Sequence, residues 1–123
     1  MFITVQHMLQ NRKTGEVEGY RNVAVVSVPE EVSAFGTTLD CLEYAYRWTN
    51  NVQGSWSIKK TSFPDPANGD RVNGDYNENV AVLYNRPDGM GQRSTMMGDR
   101  MEVDGKTYKV ASFGFTELEL ETV

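Results

Sequence analysis

The chain has one cysteine and one histidine among 123 residues, and that scarcity excludes a good deal of chemistry. Cys41 has no partner for an internal disulfide. Zinc sites draw on clusters of Cys and His, and one of each is too few. A hydrolytic triad needs a base beside a nucleophile, and His7 is the only histidine. It falls in a strand near the start of the chain and reads as an edge or surface residue. Cys41 is a nucleophile only with a depressed pKa, and its place beside a helical apolar face reads as a small core residue. Long apolar runs are also missing, none approaching the roughly 20 residues of a membrane-spanning helix. The first residues, Met-Phe-Ile-Thr-Val-Gln-His-Met, show no basic region followed by an apolar stretch, so no signal peptide is expected. These features favour a reducing cytoplasm. Positive charge is in deficit: 12 Lys and Arg stand against 17 Asp and Glu, for a net charge of −5 and a pI near 4.8. An acidic domain repels phosphate backbones, so general nucleic-acid binding is not expected. The charge is too small and too interspersed for a DNA mimic. Internal repeats and low-complexity segments are absent.

What is present suits one compact domain over residues 1–123. The hydrophobic fraction is 39%, so two Trp, six Tyr and five Phe must supply much of the core. Ile3, Val5 and Leu9 alternate with Thr4, Gln6 and Gln10, which marks a half-buried strand. Residues 11–15 are polar and end in glycine, a turn. A second strand over 16–28 has the core Val23-Ala24-Val25-Val26-Ser27-Val28, apolar on both faces and therefore central, and Pro29 stops it. Residues 37–50 form the principal helix. Thr37 and Asp40 resemble a capping box. Leu39, Leu42, Ala45, Tyr46 and Thr49 share one face, with Asp40, Glu43 and Arg47 opposite and Tyr44 and Trp48 on the border. Residues 53–79 are long, irregular and rich in Asn and Asp, as functional or mobile loops are. A short strand over 80–84 and a turn cluster over 86–91 follow.

The most structured signal is the last ribbon. Asp104-Gly105 supplies the positive φ angles of a type I′ hairpin turn. Met101 and Val103 share a face of one strand, as do Tyr108 and Val110 of the next. Residues 115–120 add a short edge strand or a frayed end. The expected fold is α+β, a twisted, mainly antiparallel sheet with one principal helix packed on one face.

The sequence offers no catalytic constellation, no metal site and no cofactor motif. Asp65, Asn68, Asp70, Asn73 and Asp75 are spaced like oxygen donors but lack the calcium-loop pattern, and read as a solvated Asx-rich loop. Arg93, Ser94 and Thr95 form the candidate ligand site, an arginine fork and two hydroxyls able to hold a phosphate or carboxylate. The structural alternative pairs Arg93 with Asp99 and holds the Gly98-Asp99 turn. Arg47, Trp48, Asn50, Asn51 and Trp56 form a second cluster, either a bonded corner or a recognition patch. Tyr44, Arg47 and Trp48 are the first choices for a partner surface, with Trp56 assigned to the corner.

The run Arg93-Ser94-Thr95-Met96-Met97-Gly98-Asp99, then Val103-Asp104-Gly105, Tyr108 and Ser112-Phe113-Gly114-Phe115, resembles the C-terminal part of YodL-like domains of anti-restriction-type proteins. Those carry an Arg-Ser-x-Ser-like start, a Gly-Asp or Ser-Asp turn, a hairpin and a terminal Ser-Phe-Gly-Phe. Thr95 and Met96-Met97 depart from that start, and the resemblance covers about the last fifth of the chain. The segment from Tyr44 to Asn51 is similar to segments of uncharacterised phage proteins. The resemblance implies a phage accessory origin and no catalytic residues. The leading functional expectation is therefore a non-enzymatic phage accessory protein that binds a host factor and counteracts host defence in the host cytoplasm. The alternative is capture of a nucleotide signal, with Trp48 or Trp56 stacking on the base; an enzyme acting on such a ligand ranks third. A homodimer is expected, through a sheet edge left unpaired by the last ribbon and the 80–84 strand, or through Tyr44 and Trp48.

Overall fold

The computed structural model describes residues 1–119. β1 (Phe2–Gln10) and β2 (Val17–Ser27) form a long hairpin. Its turn is closed by Asn11, whose carbonyl accepts from the Gly15 amide at 2.7 Å, and Gly15 takes a φ of 73°. Two helices follow, α1 (Glu30–Ser33) and α2 (Thr38–Trp48). β3 (Ser62–Phe63) and β4 (Arg71–Val72) form a small separate hairpin. β5 (Val80–Val82), β6 (Arg100–Val103), β7 (Lys106–Val110) and β8 (Phe115–Leu118) complete the main sheet. Its order is β5-β2-β1-β6-β7-β8, and every neighbouring pair is antiparallel. The fold is the expected α+β arrangement, dominated by its sheet.

The core lies between the sheet and α2. Ile3 and Val5 of β1, Val23, Ala24 and Val26 of β2, and Met101 and Val103 of β6 meet Cys41, Leu42 and Ala45 of the helix, with Trp56 beside them. Thr37 caps the helix through its side chain, accepting from the Asp40 amide, while the Asp40 carboxylate accepts from the Thr37 amide at 2.8 Å. The buried stripe is rotated from the expected one. Cys41 and Ala45 are small and let the helix approach the strands, whereas Leu39 in the first turn is 48% exposed and Tyr46 37%. The hairpin turn of the ribbon is as expected, with Asp104 at φ 51° and Gly105 at φ 76°.

One irregularity places functional side chains. β1 and β2 run in register from Phe2↔Ser27 to Val5↔Ala24, and then Gln6 pairs with Asn22. The extra residue, Val23, makes a bulge, which bends the strand and increases its twist. Both Val23 and Ala24 stay buried, and His7 comes to lie opposite Arg21. Directly opposed residues of an antiparallel pair share a face. Arg21 thus joins His7 at the rim of the core.

Three expectations are corrected. β1 is flanked by β2 and β6, so His7 lies in an interior strand and is buried. The ribbon is interior as well: β6 pairs with β1, and β7 with β8, leaving β5 and β8 as the sheet's edges. The 53–79 segment contains the β3–β4 hairpin, whose two-residue strands are too short to show a period. The expected strand over 115–120 is seen as β8, and its last residue, Leu120, lies outside the described residues.

Candidate functional site

The residues expected to hold a ligand are largely employed in holding the fold. Asp99 is fully buried at the turn before β6. One of its oxygens accepts from the Met8 amide at 2.8 Å and from Arg93 Nη2 at 2.9 Å. The other accepts from Arg93 Nη1 at 2.6 Å and the Met96 amide at 2.8 Å. Arg93 therefore grips a carboxylate of its own chain bidentately, the geometry in which such a pair is strongest. Ser94 Oγ accepts from the Asn51 amide at 2.8 Å. Thr95 is buried and donates to Thr49 Oγ1 at 2.8 Å. The three consecutive residues point to three different tasks and do not converge on one ligand. The structural alternative weighed for Arg93 describes what is seen.

Donor counting fixes the state of His7. Thr49 gives its only hydroxyl proton to the Ala45 carbonyl, so it accepts from Thr95. Thr95 has then spent its own proton, so His7 Nε2, 2.9 Å away, must donate to it. Burial pushes the His7 pKa down to about 4; nearby Asp99 opposes this and Arg93 reinforces it. His7 is thus a neutral, structurally engaged imidazole at neutral pH. Burial also pushes the Cys41 thiol up, away from the thiolate a nucleophile requires.

The second expected cluster divides in two. Trp56 is fully buried and donates from its indole to the Arg93 carbonyl at 2.9 Å, while its amide donates to Asn51 Oδ1. It is the structural corner. Tyr44, Arg47 and Trp48 do come together: the two rings lie 6.3 Å apart, and the Arg47 guanidinium sits 4.2 Å over the Trp48 ring. All three are half-buried and partly committed. Tyr44 Oη accepts from Asn77 and Asn79, and Arg47 pairs with buried Asp75 at 3.2 Å.

The loop carboxamides and carboxylates are more structural than a solvated loop implies. Asn73 donates to the carbonyls of Ser55, Ile58 and Lys60 and accepts from the Ser55 and Asp75 amides. Asp75 accepts from the Val52 and Gln53 amides at 2.8 and 2.9 Å. These two buried residues hold the 53–79 loop against the helix end.

A site that no sequence motif marked lies on the other side of this loop. Two open hollows adjoin there. The smaller, about 330 Å³, is lined by His7, Arg12, Arg21, Tyr84, Arg86 and Arg93, among others. The larger, about 750 Å³, is lined by Lys59, Lys60, Phe63, Tyr84, Arg86 and Met90, among others. Tyr84, Arg86 and Gln92 belong to both. Six of the chain's 12 cationic residues line this pair of hollows, and among the described residues no Asp or Glu does. Arg93 is paired with Asp99 and Arg86 with Asp88. Among the described residues, Arg12, Arg21, Lys59 and Lys60 form no ion pair. Arg21 stacks 3.9 Å from the Tyr84 ring centroid, which holds its fork in place. Gln92 fixes the shared wall, its amide donating to Ser57 Oγ and its side chain to the Tyr84 carbonyl. Arg93 is the one residue of the expected ligand site that reaches this place. The others were missed because they come from the β1–β2 turn, β2, the 53–79 loop and the segment after β5. The local signals were faint: Arg12-Lys13 and Lys59-Lys60 are adjacent cations in an acidic chain.

Comparison of the chain with known protein families, curated proteins and solved structures finds no match in any of the three.

Proposed function

We propose that the protein is a non-enzymatic binding module for a small anionic ligand of the nucleotide class, held in the hollow between Arg12, Arg21 and Tyr84. The observation that carries this reading is a concavity lined by Arg12 and by Arg21, which stacks on Tyr84; among the described residues neither arginine forms an ion pair and no carboxylate lines the hollow. Guanidinium forks suit phosphate oxygens and aromatic faces suit bases. The non-enzymatic part rests on His7 and Cys41, the chain's candidate base and thiol, neither of which is poised for proton transfer or attack. A ligand selective for the native state raises its melting temperature. Thermal melts against a panel of linear and cyclic nucleotides should show a rise of several degrees for at least one, lost in Arg12→Glu/Arg21→Glu. A flat response across the panel would reject the reading.

The second reading is a phage accessory protein that engages a host factor, in the host cytoplasm, and blunts host defence. It is supported by the resemblance of the C-terminal run and by the grouping of Tyr44, Arg47 and Trp48, residue types that anchor interfaces. Pull-down from a bacterial lysate tests it. A host protein retained by the native chain and lost with Trp48→Ala favours this reading; retention no better than on an unrelated acidic protein removes its support.

A further inference from the structure

We infer that the ligand carries two separate phosphate groups and is a dinucleotide, spanning both hollows. This rests on the anion-binding reading above and extends it. The smaller hollow is lined by the cations Arg12 and Arg21; the larger is lined by Lys60 and by Lys59, whose ammonium is turned to the Asn77 carbonyl and the Tyr76 ring, which leaves Lys60, among the described residues, as the free ammonium of that wall. The two hollows adjoin, with Tyr84, Arg86 and Gln92 in the lining of both. A mononucleotide placed against the arginines leaves the lysine wall without a counter-charge. A ligand with a second phosphate satisfies both walls. The volumes agree, since about 330 Å³ is the lower end of a small-molecule site and the larger hollow adds about 750 Å³. The larger hollow also carries apolar surface, from Phe63 and Met90, against which a second base can lie. A purely phosphorylated sugar or inorganic polyphosphate would leave that apolar surface unused.

Calorimetric titration of the full chain with adenosine monophosphate, the linear dinucleotide pApA and cyclic di-AMP tests this. At least one dinucleotide should bind ten or more times more tightly than the monophosphate. Lys60→Glu should weaken that dinucleotide at least tenfold and leave the monophosphate within twofold. Lys60 is the cleaner position, because Lys59 also donates to the Asn77 carbonyl and its loss could disturb the loop. Arg12→Glu/Arg21→Glu should weaken every ligand, with circular dichroism melts confirming that each variant is folded. If monophosphate binds through Arg12 and Arg21 and neither dinucleotide is tighter, or if Lys60→Glu changes nothing, the two-phosphate ligand is rejected and the simpler site stands. If no nucleotide binds the native chain, both are rejected.

Discussion

At the scale of single residues, stability concentrates in a few buried polar groups whose partners are complete. Asp99 has four donors for two oxygens and no water-facing surface. Removing it leaves two amides without their acceptor, while the Arg93 guanidinium, 39% exposed, can turn to water; stranding buried donors typically costs about 1–3 kcal/mol. Asp99→Ala should lower unfolding stability by that order in urea titration, and Asp99→Asn by less, since one acceptor oxygen survives. A loss under about 1 kcal/mol would show that the turn does not depend on this carboxylate. His7 gives the protein a pH dependence of known sign. Its ordinary pKa of 6.5 is lowered to about 4 in the folded chain by burial. Between these values the unfolded state binds the proton and the folded state does not. Stability is therefore complete above about pH 6.5 and is lost as pH falls through the folded value. Between pH 7 and pH 5 the loss from this one group is about 2 kcal/mol. Carboxylates titrate nearby, so the comparison is with His7→Gln, in which the difference between urea midpoints at the two pH values should shrink. An unchanged difference would mean that another group causes the slope.

At the scale of elements, what was legible was what is local. Ile3 and Val5 alternate with polar neighbours because one face of β1 meets the core, and that pattern is written in adjacent residues. Thr37 and Asp40 form their capping box within four residues of chain. Asp104-Gly105 turns the ribbon with its own two φ angles. Replacing Thr37 by Ala removes the cap and should cost about 1 kcal/mol, visible as a lower urea midpoint. The placement of β1 was not legible, since its short alternation fits an edge as well as an interior strand until β6 is known to pair with it. Neither were the tasks of Asn73 and Asp75. An Asn or Asp in a loop reads as solvated, and only the fold shows that Asn73 collects three carbonyls from residues 55–60. The hollows beside Tyr84 were the least legible feature. Their cations come from three stretches of chain, 12–21, 59–60 and 86–93, and a bulge at Val23 is needed to turn Arg21 toward His7. In the expected site at Arg93–Thr95, Arg93 finds its carboxylate within its own chain, only six residues away.

At the scale of the whole molecule, charge and sheet edges set how copies meet. Net charge is −5, yet the Tyr84 side is cationic, so the acidic surplus lies elsewhere. The β8 edge carries exposed Glu117 and Glu119. A twofold pairing of β8 with its copy would oppose like charges, and charged edges resist such pairing. β5 is the more open edge. The bonds from Leu83 N–H to the Val23 carbonyl and from Ser27 N–H to the Asn79 carbonyl fix the phase of the ladder, with Ala81 turned toward β2. Val82 then directs its peptide groups away from β2, toward the edge, while the Val80 amide, also turned outward, already donates to the Asn77 carbonyl at 3.1 Å. A homodimer through β5 is the expected state, giving twice the 13.9 kDa chain mass by light scattering at micromolar concentration. Val82→Pro removes one outward amide while sparing the β2 ladder, and should return the protein to a monomer. Pairing along β5 also covers a wall of the larger hollow, which Val80, Ala81 and Val82 help to line. Saturating nucleotide should therefore shift the native protein toward the monomer. A mass near 13.9 kDa for the native chain without ligand would overturn the dimer. A dimer that persists in Val82→Pro would move the interface away from β5.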